Sequence, residues 1–397
     1  MARFWLLLGL LGPLLGAQPT PSDAAFRQAL EAQGREPVAY VRTALDRHDL
    51  IVFDEGLHHA QEPWTFYLDL LRDPAIRRQV RRVFVEVLSS ADQRHLDAFL
   101  ASPTLDPALL IPALQDDFSG YGWRYRNLQD FLEGLWRLNR PLPEAERIRV
   151  IGVSMPIFWK GLRSRADYEA FQDSTRSQDH HMQAVIVEHL DGFRSGRKGL
   201  FLTNTRHAYT GLHRAEGGLF WNATTFLAQQ HPGRVHSVRI HNVALKVEAK
   251  ARTEGPRSTD GLREMTYRWV RMEGGAWDRA FAAAGGRPVA LPLAGNAFGR
   301  SAYVGNQMLT ARPGSTMADV HDALVVLAPL EDLHLCGRSA LICTPAFREE
   351  LKRRIRILEG PDLGPFLARE GAKDLDAFLD DWARPTEARP NRMLAGP

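Results

Sequence analysis

Short runs rich in apolar and β-branched residues constrain the fold more than any other feature of the sequence. They lie at 50–53, 83–87, 148–153, 199–202 and 324–327, and stretches with helical spacing separate them. Strands that are buried on both faces lose the alternation of polar and apolar residues, as in a parallel sheet covered by helices. The pattern therefore predicts an α/β fold with a mainly parallel sheet flanked by helices.

The remaining segments are interpreted as parts of one large domain over residues 18–384, because 44% of the chain is hydrophobic and can bury a large core. Residues 101–145, rich in Leu, Trp and Tyr, are predicted to form a helical excursion. Residues 235–312 contain alternating stretches and are predicted to be an insertion with its own short strands. Residues 385–397 have little to bury and are expected to form a flexible tail.

The first 17 residues have the order of a cleavable signal peptide. Arg3 precedes an apolar run at 4–15, and the small residues Gly16 and Ala17 follow it. This run is shorter than the roughly 20 residues that span a bilayer. We therefore expect a periplasmic or secreted protein that has no membrane anchor after cleavage.

Charge and cysteine content narrow the set of partners. The formal net charge is +3, without a run of basic residues that would track phosphates, so nucleic acid is not an expected partner. Cys336 and Cys343 are the two cysteines, and an oxidising compartment allows a disulfide between them across the turn-forming residues 337–339. Two buried thiols, or a metal or redox role, are the alternatives.

Acidic and imidazole side chains follow three of the predicted strands. Glu55 and His58 come after the first run, Glu86 lies at the end of the second, and His207 follows the run at 199–202. Ligands of open α/β sheets bind at the carboxyl ends of strands. An imidazole there can take a proton from water when a carboxylate fixes its tautomer. Structural ion pairs of the two glutamates and a solvated position for His58 remain alternatives.

Other residues near these positions are candidates for binding a substrate. Glu62 is a further carboxylate close to His58, Arg206 favours an anionic substrate, and Tyr209 lines the cleft if its loop turns back over it. Aromatic side chains at roughly helical spacing indicate a packed core face, with an apolar substrate wall as the alternative: Trp123, Tyr125, Phe131 and Trp136. No Gly-x-Ser-x-Gly elbow or nucleotide-binding glycine loop is present in the sequence.

The same segments resemble the superfamily of erythromycin esterases, ChaN-like haem-uptake lipoproteins and Tiki-type proteins. The esterase motif Gly-Glu-x-x-His with a later Glu is matched by Glu55, His58 and Glu62, while Asp54 replaces the Gly. The esterase motif Arg-Asp-x-x-Met is met in part at 178–182, where Asp179 matches and Gln replaces Arg. The stretch 86–100 is similar to the ChaN-like pattern of Glu, Gln and a Leu-Asp-x-Phe-Leu helix.

The resemblance implies an α/β sandwich in which His58 activates water and His207 polarises the attacked carbonyl. Glu55 and Glu86 would position the base or the water, and four residues are assigned to substrate binding: Glu62, Asp179, Arg206 and Tyr209. The expected function is hydrolysis of an ester-type bond in a small molecule without a required cofactor.

Two alternatives follow from the other branches. One is a ChaN-like protein that binds haem or another small ligand without catalysis. The other is a Tiki-like hydrolase that holds a divalent metal on Glu55, His58, Glu86 and His207.

Overall fold

A computed structural model of the chain describes residues 21–175, 177–249, 265–305 and 311–393. The predicted signal peptide at 1–17 lies outside these residues. Among the helices of the described ranges, none combines the length and the apolar character needed to cross a bilayer.

The strands follow the apolar runs that the sequence marks. In chain order they are β1 (Leu50–Asp54), β2 (Val80–Ser89), β3 (Arg149–Ser154), β4 (Lys198–Thr203), β5 (Val235–Ile240), β6 (Ala244–Ala249), β7 (Met265–Val270), β8 (Val289–Pro292), β9 (Ala323–Val326), β10 (His334–Leu335) and β11 (Arg389–Pro390). A seven-stranded sheet has the order β3-β2-β4-β1-β5-β9-β8. Its neighbouring strands are parallel except for the antiparallel pair β8 and β9.

Helices cover both faces of this sheet. They are α1 (Asp23–Gln33), α2 (Pro37–Leu45), α3 (Glu62–Arg72), α4 (Pro74–Gln79), α5 (Gln93–Ala101), α6 (Ile111–Gln115), α7 (Arg126–Asn139), α8 (Arg165–Ser174), α9 (Gln178–His189), α10 (Thr205–Ala208), α11 (Ala223–Gln230), α12 (Ala276–Ala283), α13 (Ala297–Arg300), α14 (Met317–Val320), α15 (Pro345–Glu359), α16 (Leu363–Arg369) and α17 (Leu375–Trp382). The predicted α/β class with a mainly parallel, helix-flanked sheet is confirmed.

The central strand β1 shows why the apolar runs lack alternation. All five of its residues are buried. Ile51 and Phe53 belong to the core cluster on one face, which also contains buried residues of α3 and α7. Leu50 and Val52 belong to the cluster on the other face, with residues of α9 and α11. Burial of each such side chain contributes about 1.5–3 kcal/mol, so both layers depend on this strand.

The predicted insertion at 235–312 needs correction. Strand β5 lies inside the main sheet, where it pairs in parallel with β1 and β9, and β8 is an edge strand of the same sheet. The polar residues Ser237 and Arg239 of β5 are buried and hydrogen bonded, so their alternation with apolar residues does not mark an exposed face. The antiparallel pair of β6 and β7 forms a separate two-stranded sheet within these residues.

The C-terminal segment is held more firmly than a flexible tail. Strand β11 pairs with β10, and Thr386 pairs with Arg338. The backbone N–H of Asn391 also donates to the carbonyl of Leu333 at 2.7 Å. The prediction is therefore wrong for residues 385–393, and residues 394–397 lie outside the described ranges.

Candidate functional site

A tight turn after β1 brings His58 back over Glu55. The Asp54 carboxylate accepts the Gly56 N–H at 2.9 Å, and Gly56 has φ +71°, which glycine adopts without steric cost. The turn places Nδ1 of His58 2.6 Å from Oε1 of Glu55. The side chain of Glu55 is 2% exposed and that of His58 is 23% exposed, so the imidazole is the solvent-facing member of the pair.

Glu86 lies in β2, two strands away from β1, and reaches the same place. One carboxylate oxygen, Oε2, accepts the Thr203 hydroxyl at 2.5 Å and the Asn204 N–H at 2.6 Å. The other oxygen, Oε1, lies 3.9 Å from Nε2 of His58 and 3.4 Å from Nε2 of His207. Glu86 is therefore fixed by β4 on one side and faces two imidazoles on the other.

His207 in α10 is oriented by a second carboxylate. Its Nδ1 lies 2.7 Å from Oδ1 of Asp179, a residue in the first turn of α9. The same Asp179 oxygen accepts the Ala223 N–H at 2.7 Å, and the Thr224 hydroxyl donates to the His207 carbonyl at 2.5 Å. The start of α11 thus holds both members of the pair.

The predicted site residues Glu55, His58, Glu86 and His207 therefore converge. Each imidazole uses Nδ1 to bind a carboxylate and turns Nε2 toward the shared oxygen of Glu86. A carboxylate that accepts from Nδ1–H fixes the tautomer, which leaves the Nε2 lone pair of a neutral imidazole free to take a proton.

Burial and hydrogen bonding set the protonation states of the first pair. Burial raises the pKa of Glu55 to about 7, against the opposing hydrogen bond and charge of His58. Burial lowers the pKa of His58, but the hydrogen bond with Glu55 and the charges of Glu86 and Glu55 outweigh it, so this pKa lies above its ordinary value. Oε2 of Glu55 is buried and has no hydrogen-bond partner in the described part of the chain.

Glu86 behaves in the opposite way. Burial raises its pKa, but the charges of His207 and His58 and the hydrogen bonds from Thr203 and Asn204 outweigh burial and hold this pKa below its ordinary value. Glu86 is therefore the ionised carboxylate of the site at neutral pH.

Two of the residues assigned to substrate binding are placed elsewhere. The Glu62 carboxylate at the start of α3 accepts both the backbone N–H of His334 at 2.9 Å and its Nδ1–H at 3.0 Å. The ring of Tyr209 is fully buried and packs in a cluster with Leu212 and Val320. Both assignments are corrected, because Glu62 is held at another part of the fold and Tyr209 is inaccessible to a substrate.

The other two lie at the site. Asp179 binds His207, so its contact is with the imidazole. Arg206 is half-buried, forms no ion pair with a described carboxylate, and carries a charge that acts on His58. Arg206 thus places a positive charge near His58.

A buried ion pair below the turn joins the two halves of the site. Arg239 of β5 donates to Oδ2 of Asp54, and Nη1 of Arg239 also contacts the Thr205 hydroxyl at 2.9 Å. That hydroxyl donates to Oδ1 of Asp54 at 3.0 Å, and Thr205 is the first residue of α10. Asp54 is visible in the sequence as a departure from the esterase motif, whereas Arg239 is not among the predicted site residues; its signal is a charged residue inside a strand.

A cavity of about 400 Å³ opens beside His58. Its wall is rich in aromatic side chains from the 117–125 connection and from α16 and α17, among them Phe118, Tyr121, Trp123, Tyr125, Phe366 and Phe378. The ring centroids of Phe118 and Trp123 lie 5.4 Å and 5.5 Å from that of His58. Of the aromatic set predicted as a core face, Trp123 and Tyr125 line this cavity, whereas Phe131 is a buried core residue and Trp136 packs against the core.

The metal alternative would need Glu55, His58, Glu86 and His207 as ligands. Within the described ranges, no group of three or more His, Cys, Asp or Glu side chains is arranged to hold a metal ion. Nδ1 of each site histidine is already bound to a carboxylate.

The predicted disulfide is not formed. Cys336 and Cys343 are both free thiols. Arg338 pairs with Tyr125 and with Thr386, which draws the chain after Cys336 into extended pairing and prevents the expected turn at 337–339. Burial raises the pKa of the Cys336 thiol to about 12.

Comparison with known proteins finds no matching family model and no matching curated protein. A solved succinoglycan biosynthesis protein is 8% identical, covers 77% of this chain and 97% of its own, and superposes with a TM-score of 0.52. An erythromycin esterase mutant in its open conformation is 10% identical over 73% of this chain and 92% of its own, at a TM-score of 0.49. ChaN of Campylobacter jejuni is 15% identical over 51% of this chain and 85% of its own, at 0.34.

The first of these comparisons supports a common fold. Its sequence identity of 8% is too low to support a shared function. The chain is thus an α/β protein that shares its fold with the succinoglycan biosynthesis protein.

Proposed function

We propose that this chain is an exported hydrolase that cleaves an ester-type bond in a small molecule with water activated by His58. The observation that carries the proposal is the position of the His58 imidazole. Glu55 binds Nδ1 at 2.6 Å, and the free Nε2 faces Oε1 of Glu86 across 3.9 Å. This is the arrangement that a general base requires.

A water molecule fits between these two atoms at ordinary hydrogen-bond lengths of about 2.8 Å to each. The water donates one hydrogen bond to Nε2 of His58 and a second to Oε1 of Glu86. The two bonds orient a lone pair of the water oxygen for attack. General base catalysis of this kind contributes about 10²–10⁴-fold to a rate.

In the proposed reaction the water oxygen bonds to the carbonyl carbon of the ester while its proton moves to Nε2 of His58. For His207 to stabilise the oxygen on which negative charge develops, it has to carry a proton on Nε2 in addition to the Nδ1–H that it donates to Asp179. Collapse of this intermediate breaks the bond to the alcohol oxygen, which takes the proton back from His58. The chain forms no covalent intermediate in this scheme.

Two sequence features also support the proposal. The Glu55, His58 and Glu62 pattern resembles that of the erythromycin esterases, and the first 17 residues have the order of a signal peptide. Arg206 adds a cation beside the site, which favours a substrate with negative charge. The proposed steps use side chains of the chain alone.

The test measures hydrolysis of simple carboxylic esters by titrating the released acid. His58→Gln removes the base. His334→Gln is the matched control, because Nδ1 of His334 lies 3.0 Å from Oε1 of Glu62 in the same kind of pair, and His334 does not line the cavity. We expect kcat/KM to fall by about 10²–10⁴-fold in His58→Gln and to stay unchanged in His334→Gln. A kcat/KM in His58→Gln equal to that of the wild type would contradict the proposal.

A further inference from the structure

The cavity beside His58 contains polar side chains, but the protein itself satisfies most of them. The Asp117 carboxylate accepts the Gly122 N–H at 2.8 Å and the Ser119 hydroxyl at 2.7 Å. The Tyr121 hydroxyl donates to Glu359 at 2.8 Å, and Arg124 donates to the Trp382 carbonyl at 2.7 Å. These bonds use part of the polar capacity of the wall, while the Asp117 carboxylate and the Arg124 guanidinium keep further acceptor and donor positions for polar parts of a ligand.

Of the ionisable groups at this wall, His59 is neutral at pH 7, because burial lowers its pKa to about 4. Burial raises the pKa of Asp117 to about 6, so this carboxylate remains mostly ionised at pH 7. The His59 ring stacks on Tyr125 with centroids 5.6 Å apart, and the Arg124 guanidinium lies over the Trp382 ring at 5.3 Å. The Arg124 guanidinium and the His59 imidazole therefore both contact aromatic rings of the wall.

Besides these polar groups and the exposed Glu370, the wall offers a ligand aromatic surface. The rings come from two separate parts of the chain, the 117–125 connection and the helices α16 and α17. Phe118, Tyr121, Tyr125 and Phe378 are each only partly buried, so their rings keep surface for a ligand. The cavity is continuous with the proposed base, because His58 is one of its lining residues.

We infer that this cavity binds a planar aromatic ring on the acyl or the alcohol side of the ester that the chain hydrolyses. Aromatic rings prefer stacked or edge-to-face contacts with centroids about 4.5–7 Å apart, and such contacts add to the gain from burial. A volume of about 400 Å³ lies in the range of pockets that hold small organic ligands and accommodates a fused two-ring group. The ring in the cavity places the adjoining carbonyl next to His58.

This inference rests on the proposed function, so two separate measurements test it. The first is direct binding of 2-naphthamide, a ring-bearing amide, to the full chain by calorimetry, with acetamide as the ring-free comparison. We expect 2-naphthamide to bind at least about 10-fold more tightly than acetamide, since a buried ring adds apolar area. Equal binding would overturn the inference whether or not the chain hydrolyses esters.

Two variants localise the bound ring. Phe378→Ala removes a partly buried ring from the wall, on a helix that is separate from His58. Phe158→Ala is the matched control, because Phe158 is 64% exposed and does not line the cavity. We expect Phe378→Ala to weaken 2-naphthamide binding by about 3- to 10-fold and Phe158→Ala to leave it unchanged. Equal effects of the two variants would overturn the inference.

The second measurement compares hydrolysis of methyl 2-naphthoate, 2-naphthyl acetate and ethyl acetate. We expect KM to be lower for at least one naphthyl ester than for ethyl acetate, and the ester with the lower KM identifies the side that enters the cavity. Phe378→Ala should raise that KM by about 3- to 10-fold, whereas Phe158→Ala should leave it unchanged. Binding of 2-naphthamide without hydrolysis of any ester would refute the proposed function alone, whereas hydrolysis without ring preference would refute this inference alone.

Discussion

Nε2 of His58 lies 3.9 Å from Oε1 of Glu86, the same oxygen that lies 3.4 Å from Nε2 of His207. One ionised carboxylate oxygen therefore faces two imidazoles, each of which is oriented by a further carboxylate. Protonation of His58 removes the lone pair that the proposed base needs, so pH should control activity through this residue.

The pH dependence of wild-type activity follows from the shift at His58. Its pKa lies above the ordinary value of 6.5, so the protonated, inactive form persists to higher pH than for a free histidine. We expect kcat/KM to rise with pH along an acid limb whose midpoint lies above 6.5. A pH–rate profile with a midpoint clearly below 6.5 would refute His58 as the base.

Replacement of Glu55 by Gln should affect both rate and pH profile. The hydrogen bond to Nδ1 and the negative charge of Glu55 both raise the pKa of His58. Glu55→Gln should therefore lower the rate by about 10²-fold and move the acid limb to lower pH. Glu62→Gln is the matched control, because the Glu62 carboxylate binds His334. The pH profile of Glu62→Gln should match that of the wild type.

Arg206→Gln should shift the same limb in the opposite direction. The positive charge of Arg206 lowers the pKa of His58, and Arg206 has no ion-pair partner among the described residues. We expect the His58 pKa, measured by NMR titration of its ring protons, to rise in Arg206→Gln and to return to the wild-type value in Arg206→Lys. An unchanged pKa in Arg206→Gln would show that the guanidinium does not act on the site.

Removal of the cation from the buried ion pair between Asp54 and Arg239 should strongly destabilise the fold. Arg239→Met leaves the fully buried Asp54 carboxylate without its cation, which costs about 3–5 kcal/mol of the free energy of unfolding. Arg279→Met is the matched control, because Arg279 pairs with Asp23 at 2.7 Å on the surface and should contribute little. Urea denaturation of both variants measures the difference, and equal losses would contradict the assignment.

The fold and the convergence of Glu55, His58, Glu86 and His207 could be predicted because both depend on local pattern and one topological rule. Runs such as 50–53 become buried parallel strands, and the carboxyl ends of parallel strands lie at one edge of a sheet. Glu55 and His58 are three residues apart, so a single turn joins them.

The failures involve contacts that depend on tertiary arrangement. The Asp54 and Arg239 pair requires β1 and β5 to be neighbours, although 185 positions separate the two residues. Glu62 lies close to His58 in sequence, but α3 directs its carboxylate to His334, which is 272 positions away. The cavity wall combines residues near 120 with residues near 370, and no local signal connects them.

In the proposed mechanism, water activated by His58 attacks the ester directly. A single turnover of a hydrolysed ester in H₂¹⁸O, followed by mass spectrometry of the acid and of the intact chain, tests this step. We predict one ¹⁸O atom in the released acid, no acyl adduct on the chain at any time point, and turnover that is about 10²–10⁴-fold slower in His58→Gln. An acyl adduct on the wild-type chain, or ¹⁸O-labelled acid formed at the wild-type rate by His58→Gln, would contradict the account.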